Sequence, residues 1–124
     1  MLNKKSVLIT GASRGIGKAI AYEFAKNGYD LYLTCKSNIK LLEDIKLNCH
    51  IFKCDMGNAK EVEQLFQSIP TLDVIVNNAG ISHVGLLTDM SVEEWHHVMA
   101  TNLDSVFLTS KFGIPKMLAK QKRY

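Results

Sequence analysis

Apolar positions along the chain alternate between two textures. Short continuous runs such as Val7-Leu8-Ile9 and Val74-Ile75-Val76 read as strands buried on both faces, and longer stretches carry apolar residues at helical spacing. Residues 5–10 predict a first strand. Residues 15–27 predict a helix in which Ile16, Ile20 and Phe24 recur at i, i+4 and i+8, with Gly28 as its stop. Residues 29–35 and 49–54 predict the second and third strands, with a short helix at 38–47 between them carrying Leu41, Leu42 and Ile45. Asn58, with Glu61 three residues on, is placed to cap a helix holding Val62, Leu65, Phe66 and Ile69, which Pro70 closes. A fourth strand follows at 73–77. Ser91 with Glu94 then forms a capping box for a long helical stretch reaching about residue 120. Strand and helix alternate four times, the pattern of an α/β fold with a parallel sheet covered by helices on both faces.

Composition narrows this picture without changing it. A length of 124 residues allows one domain. The excess of 15 basic over 12 acidic residues is too small to imply a nucleic-acid partner. No apolar run approaches the roughly 20 residues of a membrane helix. Met1-Leu2-Asn3-Lys4-Lys5 leads into the first strand with no signal-peptide pattern, and Cys35, Cys49 and Cys54 lack metal-ligand spacing, so reduced, packed thiols in a cytoplasmic protein are expected.

The candidate chemistry begins at Thr10-Gly11-Ala12-Ser13-Arg14-Gly15-Ile16-Gly17, between the first strand and the first helix. A glycine loop leading into a helix N-terminus lets the backbone approach an anion and offers it unpaired N–H groups, the arrangement that cradles a dinucleotide pyrophosphate. A second landmark, Asn77-Asn78-Ala79-Gly80, follows the fourth strand; Asp55 ends the third, and Asn102 lies in Thr101-Asn102-Leu103. In their order and spacing these four features resemble the short-chain dehydrogenase/reductase family, and the region from Asn77 to Met117 looks most like its ketoacyl-carrier-protein reductase branch.

The resemblance implies a Rossmann-type, doubly wound parallel sheet, truncated to about four strands in the order 3-2-1-4, with a ligand crevice between strands one and four. It implies that Gly11, Ala12, Ser13, Arg14, Gly15, Ile16 and Gly17 line the cofactor loop. Asp55 would accept from the adenine amino group with Met56 alongside, and Asn78, Ala79 and Gly80 would approach the ribose and nicotinamide. Asn77 is expected to tie strand ends together. Asn102 would take a catalytic part, its backbone carbonyl holding a water in a proton relay. Arg14 and Lys36 could both reach a 2′-phosphate, and Cys35-Lys36-Ser37 contains no acid to accept from a free 2′-hydroxyl, so NADP(H) is favoured over NAD(H). Residues 81–90 would border the entrance for a small carbonyl or acyl-carrier substrate.

The chemistry of that family also needs a tyrosine whose phenol, ordinarily near pKa 10, is activated by a lysine four residues on. Tyr22 with Lys26 and Tyr32 with Lys36 match by letter only. Tyr22 lies about 200° round the first helix from Ile20 and Phe24 and should face solvent. Tyr32 and Lys36 would be about 13 Å apart along a strand. Residues 1–124 therefore read as an NADP(H)-binding half-domain without the C-terminal catalytic half, inactive alone. The fourth strand would form a free edge, and the helical face of Val106, Phe107, Ile114 and Met117 would lack neighbours, so a homo-oligomer or pairing with a missing second half is expected. Alternatives are a non-catalytic dinucleotide-binding or interaction module and a truncated fragment. Adjacent His96 and His97 point about 100° apart and cannot readily share a metal, so none is assigned. The cations Lys111, Lys116, Lys120, Lys122 and Arg123 suit a solvated helix end.

Overall fold

A computed structural model describes residues 4–121, so Lys122 and Arg123 of the basic tail, Tyr124 and the three N-terminal residues lie outside the described residues. Four parallel strands, β1 (Ser6–Ile9), β2 (Asp30–Cys35), β3 (Cys49–Lys53) and β4 (Val74–Val76), form one sheet in the order β3-β2-β1-β4. This is the order the resemblance implies, and the strands fall within a residue of their expected bounds. Register sets Ile9 beside Leu33 and Val76, and Tyr32 beside His50. The pleat then sends alternate residues to opposite faces. Val7, Ile9, Leu31, Leu33 and Cys35 pack with Ala21, Leu42 and Ile45, whereas Leu8 and Tyr32 pack with Val62, Phe66, Ile69 and Leu108. Two apolar layers on one sheet make the fold doubly wound.

Helices α1 (Gly15–Lys26) and α2 (Ile39–Glu43) cover the first face; α3 (Ala59–Gln67) and the long C-terminal helix cover the second. Helix α1 departs from its expected face. Its buried residues are Gly17 and Ala21, flanked by half-buried Ile20 and Phe24, and Ile16 is 75% exposed. Ile16 shares the stripe of Ile20 and Phe24 but lies in the first turn, beside the glycine loop, where no apolar layer reaches it. Helix α2 is shorter than its expected span of 38–47, although Leu42 and Ile45 are buried as expected. In α3, Asn58 Oδ1 accepts from Glu61 N at 3.1 Å, while the Glu61 carboxylate turns to the N–H of Asp55 at 3.0 Å instead of closing a capping box.

The long helix opens on the expected box: Ser91 Oγ accepts from Glu94 N at 3.0 Å and Glu94 accepts from Ser91 N at 2.9 Å. It is not one regular helix. Helix α4 (Val92–Met99) passes into a π-helical segment, Ala100–Asp104, and then into α5 (Ser105–Gln121), which contains Pro115. Within the π segment Thr101 is buried and its carbonyl accepts from Ser105 Oγ at 2.6 Å. Segments of this kind recur where a helix must re-aim side chains at a site.

Two features of α5 differ from expectation. Met117 is half-buried against the core cluster that holds Phe66 and Leu108 and so does not belong to the exposed face, whose members are Leu103, Val106, Phe107, Ile114 and Leu118. Lys120 is not a solvated tail residue, because its ammonium pairs with Asp73 and donates to the Lys4 carbonyl. The pairing moors the helix end to the sheet, since Asp73 also accepts from Ser6 N at 2.8 Å.

Candidate functional site

Two loops meet at the carboxyl ends of β1 and β4. The Thr10 hydroxyl accepts the N–H groups of Asn78 at 3.0 Å and Ala79 at 2.9 Å. Asn78 Nδ2 donates to the Gly11 carbonyl at 2.9 Å. From the other side Thr34 accepts Gly11 N–H on its hydroxyl at 3.2 Å and Ala12 N–H on its carbonyl at 2.9 Å. The glycine loop is thus stitched to β2 and β4 without using the first turn of α1. That turn has no side-chain cap and no acidic residue, whereas α3 has Asn58 with Glu61, and α4 has Ser91 with Glu93 and Glu94. A helix N-terminus left this way carries uncompensated N–H groups and a partial positive charge, both suited to an anion.

The glycines serve different needs. Gly11 has φ +63°, and a Cβ there would lie 2.9 Å from Ala79 Cα. Gly15 has φ +61° with open space around it, so the turn itself demands glycine. Gly17 has no such φ; a Cβ there would overlap the Gly11 carbonyl oxygen and reach 2.5 Å from Asn78 Nδ2.

Beside these loops lies a cavity of about 550 Å³. Gly11, Ser13, Arg14, Lys36, Asp55, Met56, Asn78, Ala79 and Gly80 line it, nine of the residues expected from the sequence. Ala12 and Gly17 are buried beneath the loop; Gly15 and Ile16 stand exposed on its outer side; none of these four lines the cavity. The cavity also takes in Ile81, expected instead at the substrate entrance, and Thr34, Cys35, Ser37, Asn38, Leu41, Cys54 and Thr101, which sequence reasoning missed. Most of them end or follow β2 or β3 at the carboxyl end, and that position in an open α/β sheet was the available signal.

Asp55 lines the cavity and shapes a turn. Its Oδ1 accepts from Gly57 N at 3.0 Å and its carbonyl from Asn58 N at 3.0 Å. Asn77 accepts from Thr109 Oγ at 2.7 Å, tying the end of β4 to α5. Asn102 lies outside the cavity lining, and its amide is committed in both directions to Ile81, accepting from N and donating to O, each at 2.8 Å. The exposed loop after Ile81 is held further by His83, whose Nδ1 is 3.4 Å from the Glu94 carboxylate.

Neither Tyr–Lys pair is arranged for acid–base work. Tyr22 is exposed on α1. Tyr32 is buried, stacked on His50 at 4.5 Å; burial, and then the neighbouring Asp30 carboxylate, push its phenol above the ordinary value, opposite to the shift that activation needs. The thiols are likewise quiet. Burial raises Cys35, with Lys53 only partly opposing it, and raises Cys49; burial together with Glu61 and Asp55 pushes Cys54 up to about 12. Thiols held this far from the thiolate are poor nucleophiles. Among the described residues no cluster of three metal-ligating side chains occurs and no helix is long and apolar enough to cross a membrane.

Comparison with known proteins bears on the whole chain. The family model for short chain dehydrogenase matches residues 5–123. The chain is 37% identical to the 3-oxoacyl-acyl-carrier-protein reductase FabG of Staphylococcus aureus, over 94% of its own length and 52% of that protein's. It is 34% identical to the D-beta-hydroxybutyrate dehydrogenase of Cupriavidus necator, over 98% of its length and 50% of that protein's. Among solved structures, a metagenomic short-chain oxidoreductase in complex with NADP superposes with a TM-score of 0.87 at 28% identity, covering 94% of this chain and 57% of that one. The chain spans about half the length of the curated relatives it matches.

Proposed function

Since the chain belongs to the short chain dehydrogenase family, we propose that it is the NADP(H)-binding portion of an oxidoreductase that moves hydride between a nicotinamide and a carbonyl or secondary alcohol. One observation carries the reading: the uncapped N-terminus of α1 and its glycine loop border a cavity that also holds Arg14 and Lys36, with no acid at the end of β2. The backbone N–H groups of the loop would receive the pyrophosphate. Arg14 and Lys36 would hold a 2′-phosphate, and the free oxygen of Asp55 would accept from the adenine amino group beside Met56. Asn78, Ala79 and Gly80 would flank the nicotinamide end. The cofactor, when bound, supplies or accepts the hydride; the chain orients it.

For Asn102 we propose the part in proton transfer, its backbone carbonyl holding a water, while its side-chain amide is fixed on Ile81. An acyl-carrier-bound keto substrate is the class favoured by the likeness to the S. aureus reductase. Turnover is proposed to need a tyrosine–lysine pair that these residues do not arrange. A second reading, a dinucleotide-binding module without catalysis, draws on the raised phenol of Tyr32 and the surface position of Tyr22. We further propose that the exposed stripe of α4 and α5 and the free edge of β4 are covered by more polypeptide of the same family.

Titration of the chain with NADPH and NADH by nicotinamide fluorescence tests the cofactor reading. Saturable binding with a preference for NADPH is expected, and Arg14→Ala or Lys36→Ala should each lower that preference roughly tenfold, the worth of one charge-assisted phosphate contact. Equal affinity for both cofactors, or no saturable binding, would overturn it. The NADPH-loaded chain alone should leave a panel of ketones unreduced under either reading; cofactor oxidation that appears only when a family half carrying the tyrosine–lysine pair is added separates the oxidoreductase from the module.

A further inference from the structure

Lys36 leaves the end of β2 as an exposed side chain, yet its tip is not free. Its Nζ lies 3.4 Å from Nε2 of His97, 61 residues further along on α4. An ammonium has only protons to offer, so in a hydrogen bond between the two Lys36 donates and Nε2 accepts. We infer that His97 is a positioning residue for cofactor selection: it holds the Lys36 ammonium at the cavity wall, where a 2′-phosphate is read. The inference rests on the cofactor proposed above.

A lysine side chain samples many rotamers, so an untethered Lys36 would spread its charge over many positions in solvent. One donated proton to His97 removes much of that freedom and leaves two for phosphate oxygens. His97 is itself well anchored. Thr101, one turn on, lines the cavity, and the intervening Ala100 lies so close to Gly57 that a Cβ there would meet the Ala100 carbonyl carbon and oxygen at 3.0 Å. The capping box at Ser91 secures the other end of α4, and Glu94 is occupied by Ser91 and His83. Neighbouring His96 projects about 100° away. The tether therefore joins the end of β2 to a helix fixed at both ends, across the rim of the cavity.

The test is the pair of dissociation constants for NADPH and NADH, measured at one pH and ionic strength for the wild-type chain, His97→Leu and His97→Gln. His97→Leu should weaken NADPH about fivefold, the value of one hydrogen bond, and leave NADH unchanged. His97→Gln, whose amide oxygen can accept from Lys36, should restore most of the loss. An unchanged NADH constant also certifies that the variants fold. Equal losses for both cofactors, no loss in His97→Leu, or no recovery in His97→Gln would overturn the inference while leaving the cofactor reading intact. A wild-type chain with no preference for NADPH would remove the cofactor reading and this inference together.

Discussion

Gly15 and Gly17 occupy the same loop for unrelated reasons, and substitution should separate them. Alanine at Gly15 meets open space but must adopt φ +61°, a strain of about 1 kcal/mol. Alanine at Gly17 has an ordinary φ but drives its methyl into the Gly11 carbonyl and the Asn78 amide. Overpacking of that kind costs about 1–3 kcal/mol, and the atoms displaced belong to the stitch between the two loops. Gly17→Ala is thus expected to lower the urea midpoint more than Gly15→Ala and to weaken NADPH binding with it. Equal midpoints for the two variants would show that the loops yield without cost. The sequence pattern marked both glycines as parts of one motif. It could not tell a backbone requirement from a contact requirement, because the contacts at Gly17 come from the folded-back Gly11 carbonyl and from Asn78, 61 positions away.

Between elements, the mooring of α5 has a pH dependence whose sign follows from Asp73. Partial burial by itself raises this carboxyl, but the bonds from the Lys120 ammonium and Ser6 N–H, with the charges of Lys120 and Lys5, outweigh it and hold the group below the usual carboxylate range. A carboxylate depressed in the folded chain contributes stability that is whole above its unfolded value near pH 4 and is lost as pH falls through the folded value. Asp73→Asn should destabilise the chain at neutral pH by about 1.5–3 kcal/mol, the range for a hydrogen bond to a charged group, and the gap to wild type should close in acid. Unfolding midpoints measured across pH 2–7 check this; a gap constant through the whole range would remove Asp73 from the account. Element existence was legible throughout, since β-branched runs and capping residues are local signals. The π-helical interruption was not. It coincides with the Asn102 amide locked onto Ile81, a contact between segments 21 residues apart that periodicity does not register.

For the whole molecule, the outstanding feature is an apolar stripe from Trp95 through Leu103, Phe107 and Ile114 to Leu118, with Phe107 64% exposed. Exposed apolar area of this extent marks an interface. The chain is expected to sediment as a dimer or larger species, and Phe107→Lys with Ile114→Lys should return it to the 13.9 kDa monomer without altering cofactor affinity. A wild-type chain that is monomeric at micromolar concentration would overturn the expectation. By itself the sequence determined the class of fold, the strand order through the family likeness, and nine of the residues around the cavity, because glycine turns, strand runs and caps act on near neighbours. Tertiary structure alone decided which of those residues face the cavity and which support it from beneath. It also decided that Ile16 and Met117 exchange their expected environments, that Lys120 is an anchor, and that His97 reaches Lys36. Each depends on how closely separate elements approach across the sheet, a distance set by packing and not by spacing along the chain.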